Sequence, residues 1–211
     1  MLEREKLRAA VIEGDWKAAA ALTQAALASG VTALEVATEC LVPAMEEVGR
    51  LFECEEYFVP EMLLSARAMK AAMEFVRPLL AAAGREPIGR VVIGTIKGDL
   101  HDIGKNLVAA MLEGGGFEVV DLGADVPPER FVETAAQTGA GLVALSALLT
   151  VTMPAMKTTI DAFRTAGLRD RVKIMVGGAP ITQQYADSIG ADGYSDNAAS
   201  AVAVARRLIA G

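Results

Sequence analysis

The run Arg90-Val91-Val92-Ile93-Gly94-Thr95-Ile96 is apolar and of strand length, and it leads into Lys97-Gly98-Asp99-Leu100-His101-Asp102-Ile103-Gly104, which holds the only histidine of the 211 residues. Three further apolar runs follow, Phe117 to Leu122, Gly141 to Ser146 and Val172 to Val176. Helix-like segments near 103–114, 128–138, 151–166 and 181–188 separate them, and a weaker fifth strand is expected near Asp192 to Tyr194 before a last helix, Ala198 to Ile209. Short apolar strands alternating with helices make a parallel sheet covered on both faces. Residues 90–211 are thus predicted to form a doubly wound α/β domain. Such sheets bind ligands beyond the carboxyl ends of their strands. The histidine loop, Ser146 and Gly177-Gly178 fall at that edge, after the first, third and fourth strands.

Upstream the period changes to that of helices. Leu34, Leu41, Met45, Val48 and Phe52 make one apolar stripe, and Met62, Ala66, Met69 and Met73 another. Asp15 reads as an N-cap, Gly30 as a helix end and Pro60 as part of a first turn. A four-helix bundle over residues 1–84 is the expectation, joined to the sheet domain by a linker, 85–89.

Composition narrows the function classes. The chain is 53% hydrophobic, but its apolar stretches are broken by charge too soon to span a bilayer, and no secretory signal opens it. A cytoplasmic protein without a membrane partner is expected. Cys40 and Cys54 form no C-x-x-C and no zinc-like set, and read as small apolar side chains. Residues 1–89 carry 14 acidic and 9 basic side chains, and 90–211 carry 13 and 11, for a net charge of -7. An acidic surface argues against a nucleic-acid partner. A dinucleotide site would need G-x-G-x-x-G after the first strand, and a phosphate loop G-x-x-x-x-G-K-[ST]; neither is present. A phospho-receiver domain would carry aspartate at the end of the third strand, where this chain has Ser146.

The pattern D-x-H-x-x-G at Asp99 to Gly104, Ser146-Ala147-Leu148 after 41 intervening residues, and Gly177-Gly178 after 28 more resemble the cobalamin-binding signature of corrinoid proteins, including the cobalamin module of methionine synthase. The helical half resembles the cap that precedes that module, through Val48-Gly49-Arg50-Leu51-Phe52, Tyr57-Phe58-Val59-Pro60 and Ser65-Ala66-Arg67-Ala68-Met69. The resemblance covers nearly the whole chain. It implies a Rossmann-like domain with a flavodoxin-like sheet, binding cobalamin that cycles between Co(I) and methylated forms. It implies that His101 ligates cobalt from below in place of the cofactor's own benzimidazole. The detached nucleotide tail then enters a slot walled by Gly177, Gly178 and Ala179, with Ser146 near the base.

The same resemblance makes Gly98, Asp99, Leu100, Asp102, Ile103, Gly104, Leu148 and Thr150 cofactor contacts, and places Phe52, Val59 and Met62 over the methyl face. It extends the histidine into a proton relay through Asp99 to a hydroxyl at Thr152, where methionine synthase has serine. A carboxylate two residues upstream suits the second ring nitrogen of a metal-bound imidazole. Where the family often has glycine, this chain has Glu55. Read from the residues alone, each position has a plainer alternative. His101 would be a surface histidine and Asp99 an N-cap. Ser146 and Thr150 would serve strand or helix ends, Gly177-Gly178 a tight turn, and Phe52, Val59 and Met62 the bundle core.

The function implied is methyl carriage between a substrate-specific methyltransferase and an acceptor methyltransferase acting on tetrahydrofolate or coenzyme M, with a reductive activator as a further partner. The linker would be the hinge on which the cap moves aside. A radical-mutase subunit and a cobalamin sensor are the alternatives.

Overall fold

A computed structural model describes residues 4–84 and 87–210, so Arg85 and Glu86 of the expected linker lie outside the described residues. The chain divides into two compact units, one made of the helical residues up to Pro87 together with Glu113–Gly116, the other of the remaining described residues.

The second unit is an all-parallel sheet in the order β2-β1-β3-β4-β5, with strands β1 (Arg90–Thr95), β2 (Glu118–Asp121), β3 (Leu142–Ser146), β4 (Lys173–Gly177) and β5 (Gly193–Ser195). Period-two alternation sends the side chains to two cores. Val91, Ile93, Leu142, Ala144 and Met175 pack on one face with Leu112, Ala201 and Ala205. Val92, Val143, Leu145, Ile174 and Val176 pack on the other with Phe131, Met156, Ile160 and Phe163. Both faces are dry, which is why these strands read as continuous apolar runs. The connecting helices are α6 (Ile103–Gly114), α7 (Pro128–Thr138), α8 (Pro154–Thr165), α9 (Gln183–Ile189) and α10 (Ala198–Ala210). Register brings Thr95 opposite Ser146, Ser146 opposite Gly177, and Gly177 opposite Ser195. Four strands therefore end level, and the chain reverses direction across the sheet between β1 and β3, the place where such folds bind ligands.

The helical unit holds α1 (Arg4–Ile12), α2 (Trp16–Ala28), α3 (Ala33–Val36), a π turn (Ala37–Leu41), α4 (Val42–Glu53) and α5 (Val59–Ala82). Asp15 caps α2, accepting from the Lys17 and Ala18 N–H groups, and Pro60 stands in the first turn of α5. From 33 to 53 the backbone stays helical through the π turn, so four helical rods result, as expected. Leu34 does not join its predicted stripe: it is exposed, while Ala33, Val36, Ala37, Cys40 and Leu41 are buried. The π turn absorbs one extra residue, which rotates everything before it by about 100° relative to α4. The turn is braced from outside. Pro43 has no N–H for the Glu39 carbonyl one turn earlier, and Arg8 Nε and Nη2 donate to it at 2.8 and 2.5 Å.

Candidate functional site

β1 ends at Thr95, and a loop then carries Asp99 and His101 to the start of α6. Gly98, with φ 87°, makes the left-handed turn that folds this loop back. Asp99 is fully buried and His101 half exposed, with 0% and 51% of their side chains accessible. One carboxylate oxygen, Oδ1, lies 2.8 Å from His101 Nδ1 and accepts the His101 N–H at 3.1 Å. The other, Oδ2, accepts the Leu148 N–H at 2.8 Å, the Leu149 N–H at 3.1 Å and the Thr152 hydroxyl at 2.8 Å. Asp99 therefore does not cap α6. Its carboxylate joins the β1 loop to the segment after β3.

Burial alone would raise the Asp99 carboxyl, but the Leu148 N–H, the His101 ring and N–H and the Thr152 hydroxyl outweigh it and hold the group well below the usual carboxylate range. A buried carboxylate only accepts, so the hydrogen of a neutral imidazole sits on Nδ1 and the lone pair on Nε2. Among the described residues Nε2 has no hydrogen-bond partner. Thr152 Oγ1 also lies 2.8 Å from the Leu149 carbonyl. With one hydrogen and two acceptors, this hydroxyl can serve Asp99 or release it.

Around the imidazole the surface is apolar. Leu100, Ile103 and Val151 are 76%, 70% and 81% exposed, and Leu148 and Leu149 are also open. Large apolar side chains exposed together in two neighbouring loops are the composition of a binding face. Ser146 is half-buried at the end of β3, and among the described residues its hydroxyl and that of Thr150 have no hydrogen-bond partner. Gly177 ends β4 beside it, Gly178 follows, and Ala179 is exposed. Asp102 and Gly104 are exposed on the first turn of α6 and just before it.

In the helical unit Phe52 is half-buried, Val59 exposed and Met62 fully buried. Met62 can meet a ligand only if its surroundings rearrange. Glu55, where glycine was noted as common, has φ 61°, so the turn demands the conformation that glycine adopts without strain.

Residues 89–203 match a family model described as the B12 binding domain, and residues 3–77 match a second model of the same description. The chain belongs to the B12-binding corrinoid proteins. Trimethylamine corrinoid protein 1 of Methanosarcina acetivorans is 43% identical over 206 residues, 97% of this chain and 95% of that one. Dimethylamine corrinoid protein 1 of the same organism is 45% identical, over 83% of each. Among solved structures, a cobalamin-binding protein from Desulfitobacterium hafniense superposes with TM-score 0.82 at 32% identity over 99% of both chains. The methanol:cobalamin methyltransferase complex MtaBC of Methanosarcina barkeri superposes with TM-score 0.86 at 31% identity, over 98% of this chain and 79% of that one.

The geometry of this corrinoid protein suits cobalamin. Among the described residues no group of three or more His, Cys, Asp or Glu could hold a bare metal ion. One imidazole on an apolar face would suit a metal whose other ligands a cofactor supplies. Also among the described residues, no helix is long and apolar enough to cross a membrane.

Sequence reasoning did not find the Leu148 and Leu149 amides, because backbone donors leave no trace in residue type. Nor did it find Thr95, whose hydroxyl donates to the His101 carbonyl at 2.9 Å. A lone hydroxyl in an apolar strand was the available signal.

The depressed Asp99 carboxyl makes stability depend on pH. A group lowered on folding contributes fully above its unfolded value, about 3.9, and loses that contribution as pH falls toward the folded value. Asp99→Asn should cost the apo protein at least about 2 kcal/mol near pH 7, because the amide presents hydrogens to donors. The gap from wild type should narrow below about pH 4. Urea midpoints measured across pH 3 to 7 check this; a gap that stays constant refutes it.

Proposed function

We propose that this chain is a methyl carrier. It would bind cobalamin base-off with His101 as lower ligand, and take a methyl group from a substrate-specific methyltransferase to an acceptor methyltransferase acting on tetrahydrofolate or coenzyme M. The observation that carries the reading is the His101 ring, oriented at Nδ1 by a buried carboxylate with Nε2 left open on an apolar face. When bound, the corrinoid supplies the cobalt that accepts and releases the methyl group.

The chain's own residues would do the rest. Asp99 holds the ring in one tautomer and one orientation, so that the lone pair of Nε2 points outward. As demand for the lower ligand changes, a proton can be kept at His101 Nδ1 against Asp99 Oδ1, while the Thr152 hydroxyl turns between Asp99 Oδ2 and the Leu149 carbonyl. The exposed side chains of Leu100, Ile103 and Val151 would exclude water beneath the macrocycle, with Asp102, Gly104 and Thr150 at its border. Gly177, Gly178, Ala179 and Ser146 would border the nucleotide tail. Phe52, Val59 and Met62 would shield the methyl face, in a cytoplasmic protein served by a reductive activator.

Relatives named for dimethylamine and trimethylamine make a methylated amine the first donor to test. The chain loaded with Co(I) cobalamin should be methylated when a cognate methyltransferase and its amine are supplied, and should lose the methyl group to an acceptor enzyme. Optical spectra follow both steps. Methylcobalamin should also bind more tightly than adenosylcobalamin, since a small upper ligand fits under an apolar shield. Preference for adenosylcobalamin, with no methylation by any cognate enzyme, would refute the carrier reading.

A further inference from the structure

Asp125 lies between β2 and α7 and has left-handed backbone, φ 54°, shared among non-glycine described residues only by Glu55. Aspartate tolerates this conformation at a cost, so something must hold it there. Val126 is buried, pairs with Ile96, and donates its N–H to the Thr95 carbonyl at 3.0 Å, extending the β1 edge beyond the strand. The residue before it has little freedom left.

From that position Asp125 grips the histidine loop twice. Its Oδ1 accepts the Gly98 N–H at 2.7 Å, and its own N–H donates to the Asp99 carbonyl at 3.0 Å. These contacts bracket the Gly98–Asp99 pair. The carboxylate does nothing for its own helix, because the residue at the cap of α7 is Pro127, with no side-chain cap.

We infer that Asp125 is a positioning residue for the lower ligand: by fixing the Gly98–Asp99 backbone from the neighbouring loop, it seats the Asp99 carboxylate under the His101 ring. The inference rests on His101 being the cobalt ligand. Asp99 has to meet His101 on one oxygen and the Leu148 and Leu149 amides on the other, over distances of 2.8 to 3.1 Å. A backbone free to shift at residues 98 and 99 would not keep both sets.

Glycine separates positioning from plain structure. Asp125→Gly relaxes the left-handed backbone while removing the acceptor for Gly98, whereas Asp125→Asn keeps an acceptor oxygen and tolerates the conformation. The full chain, labelled with nitrogen-15, is loaded with unlabelled Co(II) cobalamin, and the two-line EPR splitting from a protein nitrogen, distinct from the three-line splitting of the cofactor's own benzimidazole, reports the fraction of cobalt ligated by histidine. Asp125→Asn should match wild type. Asp125→Gly should lower the ratio of ligated to unligated cobalt about tenfold, the size expected for one lost hydrogen bond to a charged group, although its apo form melts no lower. Asp125→Ser, too short to reach Gly98, should give the same reading if the glycine variant folds poorly. Full ligation in both shortened variants overturns the inference and leaves the His101 assignment standing. No splitting from a labelled protein nitrogen in wild type overturns that assignment and the inference together.

Discussion

His101→Ala, labelled with nitrogen-15 and loaded with unlabelled Co(II) cobalamin, should lose all axial splitting from a protein nitrogen in its EPR spectrum while keeping its fold. The ring is half exposed, and its one side-chain hydrogen bond is to Asp99, which retains the Leu148, Leu149, Thr152 and His101 main-chain donors. The substitution would thus remove the proposed lower ligand and little else. Affinity for cobalamin should fall at least about tenfold, since losing even an outer partner of a metal-bound histidine has effects of 10- to 100-fold. Methyl uptake should fall with it, because the cobalt would lose the ligand whose basicity Asp99 sets. The wild-type spectrum is the necessary reference. Splitting from a labelled protein nitrogen that persists in His101→Ala would place the ligand elsewhere.

The sheet was legible because its central strands β1, β3 and β4 are buried on both faces and its helices are amphipathic, so the boundaries fall near changes of period. Asp99 was legible for a different reason: a carboxylate two residues from a histidine has few ways to miss it. Thr152 came only through the resemblance, since nothing in a threonine 53 residues downstream of Asp99 announces a shared hydrogen bond. Leu34 misled because a π turn is invisible to a fixed helical period. Asp125 left no signal either, as its part depends on a left-handed backbone that aspartate seldom adopts and on pairing between Ile96 and Val126. The Asp99 carboxylate, which meets the His101 ring through its own side chain, was readable, and the Asp125 carboxylate, which accepts from the Gly98 backbone of another loop, was not.

Gly178 shows how the two kinds can be confused, and Gly178→Ala should be the most destabilising substitution in the sheet unit. With φ 131°, an added Cβ would lie 1.8 Å from the Ala147 carbonyl oxygen. Both atoms belong to closely paired backbone, as the Ala147 N–H donates to the Gly177 carbonyl at 3.3 Å. Neither can retreat without breaking the β3–β4 pairing, so a loss above about 4 kcal/mol is expected, read as a collapse of the urea midpoint of the apo chain. A bulky residue at 178 would therefore abolish cobalamin binding whether or not a nucleotide tail passes nearby. Ser146 offers the cleaner test. It is half-buried, lies opposite Gly177 in the sheet register, and has a hydroxyl without a partner among the described residues. Ser146→Leu should leave the urea midpoint near wild type and lower affinity for cobalamin at least about tenfold, the cost of leaving the tail's polar groups desolvated and unpaired. Affinity for cobinamide, which has no nucleotide tail, should not change. An unaltered cobalamin affinity in Ser146→Leu, or an equal loss for both corrinoids, would remove the tail from this edge of the sheet.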